Sequence, residues 1–296
     1  MRRGIRYERL PTERPDPRSR DLDRLSPAAV ARLMNRADHE AVTAVARAAI
    51  GRGVELIAQA LSDGGRLIFV GAGTSGRLGV LEAAECPPTF GTPPGLVRAV
   101  MAGGPRAVFR SAEGVEDDAA EGARQIRRRA RAGDVVVGIA ASGVTPFVRA
   151  ALREARRRRA ATVLVTANPR VARPAARVII PLAVGPEVLA GSTRLKAGTA
   201  TKLTLNTLTT GAFARLGKIY GNRMVDLRPR SAKLRARARR LVREIGKVGD
   251  REAARLLRAA GDSAKLAIVM ARLEVGSTEA RRMLRAASGS LRRLLG

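Results

Sequence analysis

The sequence predicts an α/β protein, a doubly wound parallel sheet in an α/β/α sandwich, followed by a small all-helical C-terminal domain. Three observations predict it. Short apolar runs alternate with amphipathic helical patterns through most of the chain, the arrangement of a parallel sheet with helices on both faces. The first run, Leu67-Ile68-Phe69-Val70, is wholly apolar, as a strand covered on both sides must be. After Pro229 only helical patterns remain. At 296 residues and 45% hydrophobic, the chain can bury a full core and a second, smaller one.

In order along the chain, residues 1–25 are polar, Pro-rich and aperiodic, and read as an extended arm. Ser26-Pro27 is a helix start, with the hydroxyl as N-cap and Pro at the first helical position. Val30, Leu33, Met34, Ala37, Ala41 and Val45 continue it at helical spacing. A second helical stretch runs to about Leu61 and stops at Gly64-Gly65. Strands follow at Leu67 to Val70, Leu96 to Met101, Val135 to Ala140, Thr162 to Thr166 and Val178 to Leu182. Helices fill 76–85, 116–131, 146–159 and 193–216, and Cys86-Pro87-Pro88 is expected to stop the first of these. Residues 26–228 thus form the sheet domain with its leading helices. Residues 229–296 form the helical appendage, with Leu234, Leu241, Ile245 and Val248 on its first helix and three shorter helices after it.

Composition excludes several classes. No apolar run approaches the roughly 18 residues of a membrane span. The basic start, Met1-Arg2-Arg3-Gly4-Ile5-Arg6, leads to Pro11 and Asp16 instead of an apolar signal core, so a cytoplasmic protein is expected. One cysteine, Cys86, and one histidine, His39, leave no set of soft ligands for zinc, so no metal is expected. Cys86 reads as packing and His39 as structural. The formal charge of +30 invites a nucleic-acid reading. However, only 6 of the 56 basic residues are lysine and only 2% of the chain is aromatic, so the bias resembles GC-rich coding and offers no base-stacking platform. No specific nucleic-acid partner is expected.

In a parallel sheet, ligands bind beyond the carboxyl ends of the strands, so the loops there carry the chemistry. The first strand runs into Gly71-Ala72-Gly73-Thr74-Ser75-Gly76-Arg77 and then a helix. Glycines admit a ligand close to the backbone, the helix start offers unpaired N–H groups, and Thr74 and Ser75 add hydroxyl donors. The loop lacks the Gly-Lys-Ser/Thr ending of a nucleotide P-loop. It fits the glycine spacing of a dinucleotide site, but the second strand ends in Ala102-Gly103-Gly104 where that site needs an acid. A second such loop, Ala141-Ser142-Gly143-Val144-Thr145-Pro146, follows the third strand. A third, Gly191-Ser192-Thr193-Arg194-Leu195-Lys196, opens the long helix. Three hydroxyl-rich loops at three strand ends point to a polyol and phosphate pocket, with Gly73, Thr74, Ser75, Ser142, Gly143, Thr145, Ser192 and Lys196 as candidate ligands of the substrate. Two carboxylates stand out as an acid/base pair, Glu85 at the expected end of its helix and Glu116 just after the second strand. Glu116 to Asp118 also fit a plainer role, complementing a helix dipole.

The stretches Gly71 to Gly79, Ala84-Glu85-Cys86-Pro87-Pro88-Thr89-Phe90-Gly91, Ala102 to Gly104, Glu113 to Asp117, Val135 to Gly143, Gly191 to Thr199 and Gly221-Asn222 to Val225-Asp226 resemble the N-acetylmuramic acid 6-phosphate etherases, a branch of the sugar isomerase (SIS) proteins. Leu10-Pro11-Thr12-Glu13 and Asp16 to Ser19 match as well, and the resemblance spans about residues 6–290. It implies cleavage of the D-lactyl ether of N-acetylmuramate 6-phosphate to N-acetylglucosamine 6-phosphate and D-lactate, without metal or cofactor. It also implies Glu85 as the acid that protonates departing lactate, Glu116 as the second catalytic carboxylate and base, a homodimer, and a UBA-like helical tail. Val144, Phe147, Arg36 and Ala37 depart from the family's usual residues. Rival readings are a sugar-phosphate sensor without catalysis, like the glucokinase regulatory protein, and an aldose-ketose isomerase; the Ala84 to Pro88 segment argues against the isomerase.

Overall fold

The computed structural model describes residues 8, 10–171, 175–227, 229 and 231–296; the basic Met1 to Arg6 stretch and the boundary residue Arg228 lie outside them. The chain divides into two compact units, one of residues 1–83 and 95–209, the other of 84–94 and 210–296.

In the first unit the arm is not fully extended. Short 3-10 turns occupy Pro11–Glu13, Pro17–Ser19 and Leu22–Arg24. Helix α1 (Pro27–Ala46) begins as expected, with Ser26 Oγ accepting from the N–H of Ala29 at 3.3 Å. Helix α2 is Gly51–Ser62. The sheet comprises β1 (Leu67–Gly71), β2 (Val97–Met101), β3 (Val135–Ile139), β4 (Ala161–Thr166) and β5 (Val178–Pro181), all parallel, in the order β2-β1-β3-β4-β5. That order places the switch point of the winding beside β1 and β3, where a crevice opens above the strands. All four apolar residues of β1 are fully buried, so the run without alternation is a strand sandwiched on both faces. Ile68, Val70, Val136, Phe147, Val148 and Leu152 fill one side of that sandwich.

The connecting helices are α3 (Gly73–Phe90), α4 (Arg106–Phe109), α5 (Ala119–Arg129), α6 (Pro146–Arg157) and α7 (Lys196–Arg215). Helix α3 differs from expectation, because it continues through Pro87 and Pro88. Lacking N–H groups, Pro87 and Pro88 cannot donate to the carbonyls of Ala83 and Ala84, yet the helix runs on to Phe90. Its last turn closes at Gly91, whose N–H reaches Pro87 O at 3.0 Å with φ +62°. Glu85 is therefore inside a helix and not at its end.

In the second unit a two-stranded antiparallel ribbon, β6 (Ile219–Tyr220) with β7 (Arg223–Met224), precedes the helices. These are α8 (Ala232–Gly246), α9 (Asp250–Ala259), α10 (Ala264–Leu273), α11 (Ser277–Ala286) and α12 (Leu291–Leu295), one more than the pattern suggested. Their core gathers Leu241, Val242, Ile245, Leu256, Ile268 and Val269 around the central α10. Val248 packs against it from just beyond α8.

Candidate active site

A cavity of about 350 Å³ lies in the first unit at the carboxyl ends of β1 and β3. Its first wall is the β1–α3 loop, contributing Gly73, Thr74 and Ser75. This turn is possible only because residue 71 is glycine: a Cβ there would lie 2.6 Å from Gly76 N and 2.7 Å from Ser75 C. The tight turn starts α3 at once, so the free N–H groups of its first turn belong to this wall.

The second wall is the β3–α6 loop, with Ser142 and Thr145. Ser142 Oγ lies 3.3 Å from Thr145 Oγ1 and accepts from Val144 N at 3.2 Å, which holds the two hydroxyls side by side. Thr145 stands at the N-cap of α6 without a side-chain capping bond, leaving its hydroxyl available. Gly143 does not line the cavity. It shapes the loop from behind with φ +71°, and a Cβ on it would meet Val171 Cγ2 at 2.7 Å and Thr166 Oγ1 at 2.8 Å. Thr166 Oγ1 in turn donates to Ala141 O at 3.1 Å, and Asn168 Nδ2 donates to Ser142 O at 3.0 Å.

The third wall holds Ser111, Glu113 and Glu116, from the segment between α4 and α5. Two members of the acidic cluster are placed differently. Asp118 caps α5, its Oδ1 accepting from Glu121 N at 2.7 Å, whereas Glu116 lines the cavity. Phe147 N donates to Glu116 O at 3.0 Å, which ties the carboxylate's backbone to the start of α6. The fourth wall is the arm: Leu10, Thr12 and Glu13 sit against Gly191 and Thr193. The arm's contribution was not singled out from the sequence; its Pro-Thr-Glu run carries no periodic or glycine signal.

Three candidates lie elsewhere. Ser192 is half-buried and does not line this cavity, although Gly191 and Thr193 on either side do. Lys196 is 1% exposed and its Nζ is already paired with Glu40 Oε2 at 2.8 Å. It belongs to a buried network that fixes the start of α7. Arg18 bridges Asp16 and Glu40, and the fully buried Glu187 accepts from the N–H groups of Lys196 and Ala197 at 2.8 and 3.0 Å. The Arg18 guanidinium, and after it the Lys196 ammonium, hold the Glu40 carboxyl at about 2. Burial pushes the Glu187 carboxyl up, against the pull of the two backbone donors. Glu85 is exposed on α3, well beyond that helix's first turns, and is not among the residues lining the cavity.

His39 sits on α1 with Nδ1 2.8 Å from Asn35 O, and Cys86 is buried. Among the described residues no group of three His, Cys, Asp or Glu side chains is placed to hold a metal ion. Among the described residues no helix is long and apolar enough to cross a membrane.

Residues 49–156 match the model of the glucokinase regulatory protein N-terminal SIS domain. An N-acetylmuramic acid 6-phosphate etherase of Synechocystis sp. is 51% identical over 88% of this chain and 87% of its own. One from Symbiobacterium thermophilum is 53% identical over 90% and 89%. One from Gloeothece citriformis is 47% identical over 97% and 95%. Among solved structures, a phosphoheptose isomerase from Francisella tularensis is similar at 16% identity and a TM-score of 0.49, over 64% of this chain and 100% of that one. With such identity sustained over nearly the whole length of both partners, the chain belongs to the N-acetylmuramic acid 6-phosphate etherase family.

Proposed function

We propose that this chain is a carbon–oxygen lyase that cleaves the D-lactyl ether of N-acetylmuramic acid 6-phosphate, releasing D-lactate and N-acetylglucosamine 6-phosphate. The observation that carries the reading is the placing of Glu116 in one cavity with the starts of two helices and the hydroxyls of Thr74, Ser75, Ser142 and Thr145. Amide N–H groups and neutral hydroxyls suit a phosphate dianion, and the carboxylates of Glu113 and Glu116 keep that dianion on the opposite walls. The sugar is thereby oriented with its carbon chain toward Glu116.

The chemistry then needs no partner beyond the sugar's own carbonyl. The ring opens to the aldehyde, which acidifies the proton on C2. Glu116 takes that proton, the electron pair forms the C2–C3 double bond, and the C3–O bond to lactate breaks. Glu85 donates the proton that departing lactate needs, then removes one from the water that adds at C3. Glu116 returns its proton to C2, so both carboxyls end as they began. Gly143 shapes the second loop, and Ser192 and Lys196 position the α7 segment behind the cavity.

Glu85 is exposed and does not line the cavity of its own chain. In the homodimer that the family resemblance implies, it acts in the site of the second copy. The enzyme works on a small sugar phosphate in the cytoplasm, without a specific nucleic-acid partner.

The test is D-lactate release from N-acetylmuramic acid 6-phosphate by the purified protein and by Glu116→Gln. The unmodified protein should release D-lactate and N-acetylglucosamine 6-phosphate in equal amounts. Glu116→Gln should lower turnover by about a hundredfold or more while still binding the sugar phosphate. Binding without any lactate release by the unmodified protein would instead favour a sensor.

A further inference from the structure

We propose that Thr12 and Glu13 of the N-terminal arm contact the sugar portion of the bound sugar phosphate and contribute to its selection; the inference rests on the assignment of the cavity as the substrate site. Thr12 is 1% exposed and lines this cavity, yet its Oγ1 has no hydrogen-bond partner among the described residues. A buried hydroxyl without a partner carries an uncompensated desolvation cost, so such a group is retained for a reason other than stability.

The arm does not need that hydroxyl to stay in place. Thr12 O accepts from Gly191 N at 2.9 Å, Glu13 N closes its turn on Leu10 O at 3.1 Å, and Leu10 is buried. Valine has the same shape and would pack equally well. Rotation about χ1 exchanges the hydroxyl and methyl of a threonine without moving the backbone, so Oγ1 can turn to a ligand in the cavity.

The Glu13 carboxylate beside it is exposed, lines the same cavity, and makes no hydrogen bond or ion pair among the described residues. Room for it is provided at Gly191, which has φ +78° and whose absent Cβ would lie 3.0 Å from Glu13 Oε2. A carboxylate repels phosphate and accepts from neutral donors, which on this substrate are hydroxyls and the acetamido N–H. Hydroxyl and carboxylate side by side on one wall supply a donor and an acceptor for a polyol.

The test is calorimetric binding of N-acetylglucosamine 6-phosphate, and separately of inorganic phosphate, to the full-length protein and to Thr12→Val, Thr12→Ser and Glu13→Gln. Thermal midpoints without ligand are recorded alongside. Thr12→Val and Glu13→Gln should each weaken sugar-phosphate binding about tenfold. Both should leave phosphate affinity unchanged, since the phosphate occupies the other walls. Thr12→Ser should bind like the unmodified protein, and Thr12→Val should have an equal or higher midpoint without ligand. Sugar-phosphate affinity of Thr12→Val and Glu13→Gln within twofold of the original would overturn the proposal. So would an equal loss of phosphate affinity, a lowered midpoint for Thr12→Val, or failure of the unmodified protein to bind the sugar phosphate. Binding as expected without D-lactate release would remove the lyase assignment and leave this inference standing.

Discussion

Replacing Gly143 by alanine tests how the second loop is held. The residue has φ +71°, a conformation that costs an L side chain roughly 1–2 kcal/mol. The new Cβ would also stand 2.7 Å from Val171 Cγ2 and 2.8 Å from Thr166 Oγ1. Both contacts are shorter than packed atoms tolerate, and relieving them costs about 1–3 kcal/mol more. Thr166 Oγ1 cannot yield freely, because it donates to Ala141 O and accepts from Asn168 N, both at 3.1 Å. Gly185 is the control: its φ is +69° and nothing lies within 4 Å of its missing Cβ, so alanine there carries the backbone strain alone. The loss of unfolded-chain entropy on Gly→Ala is common to both and cancels between them. At roughly 2–4 °C per kcal/mol for a domain of this size, Gly143→Ala should lower the thermal midpoint by about 5–15 °C, roughly twice the fall for Gly185→Ala. Displacement of Ala141 also moves Ser142, so the KM for N-acetylmuramic acid 6-phosphate should rise about tenfold in Gly143→Ala only. Calorimetry and a D-lactate assay read the two effects. Equal midpoints for the two variants, with KM unchanged in Gly143→Ala, would mean that Val171 and Thr166 do not confine the loop at Gly143.

Two further predictions follow from the placing of the carboxylates. If Glu85 acts across a homodimer, mixing inactive Glu85→Gln with inactive Glu116→Gln should restore D-lactate release to about one quarter of the original rate. Half of the randomly formed dimers are then mixed, and each holds one intact site out of two. No restoration after verified subunit exchange would place both groups in one chain. The second concerns acid. The Glu40 carboxyl sits at about 2 against an ordinary 4.5, so its stabilising contribution is complete above 4.5 and lost as pH falls toward 2. Glu40→Gln should therefore show a shallower loss of stability across that window than the unmodified protein; identical slopes in acid titration followed by circular dichroism would contradict the pairing with Arg18 and Lys196.

The sheet was legible because burial on both faces leaves an unmistakable trace: β1 and β3 are apolar at every position, and no helix of that length reads so. The glycine and hydroxyl loops were legible for a similar local reason, since a tight turn against a helix start demands those residue types in sequence. What escaped was non-local. Lys196 stands in a hydroxyl-rich loop like a phosphate ligand, but its partner Glu40 lies 156 residues away on α1. Nothing near either residue records that pairing. The arm's place on the cavity likewise uses a backbone bond, Gly191 N to Thr12 O, which leaves no side-chain signature. The continuation of α3 past Pro87 and Pro88 is not legible in the sequence because each proline removes an intrahelical donor and so reads as a stop, although the helix runs on to Phe90.

If the ether is broken by elimination and the sugar is then hydrated at C3, isotopic water records both steps. The reaction is run to completion in water enriched in oxygen-18, and in parallel in deuterium oxide, with both products analysed by mass spectrometry. Elimination and hydration predict one oxygen-18 at C3 of N-acetylglucosamine 6-phosphate, one deuterium at its C2, and D-lactate that keeps the original ether oxygen. Oxygen-18 in the lactate, or a sugar product without deuterium at C2, would rule out elimination followed by hydration.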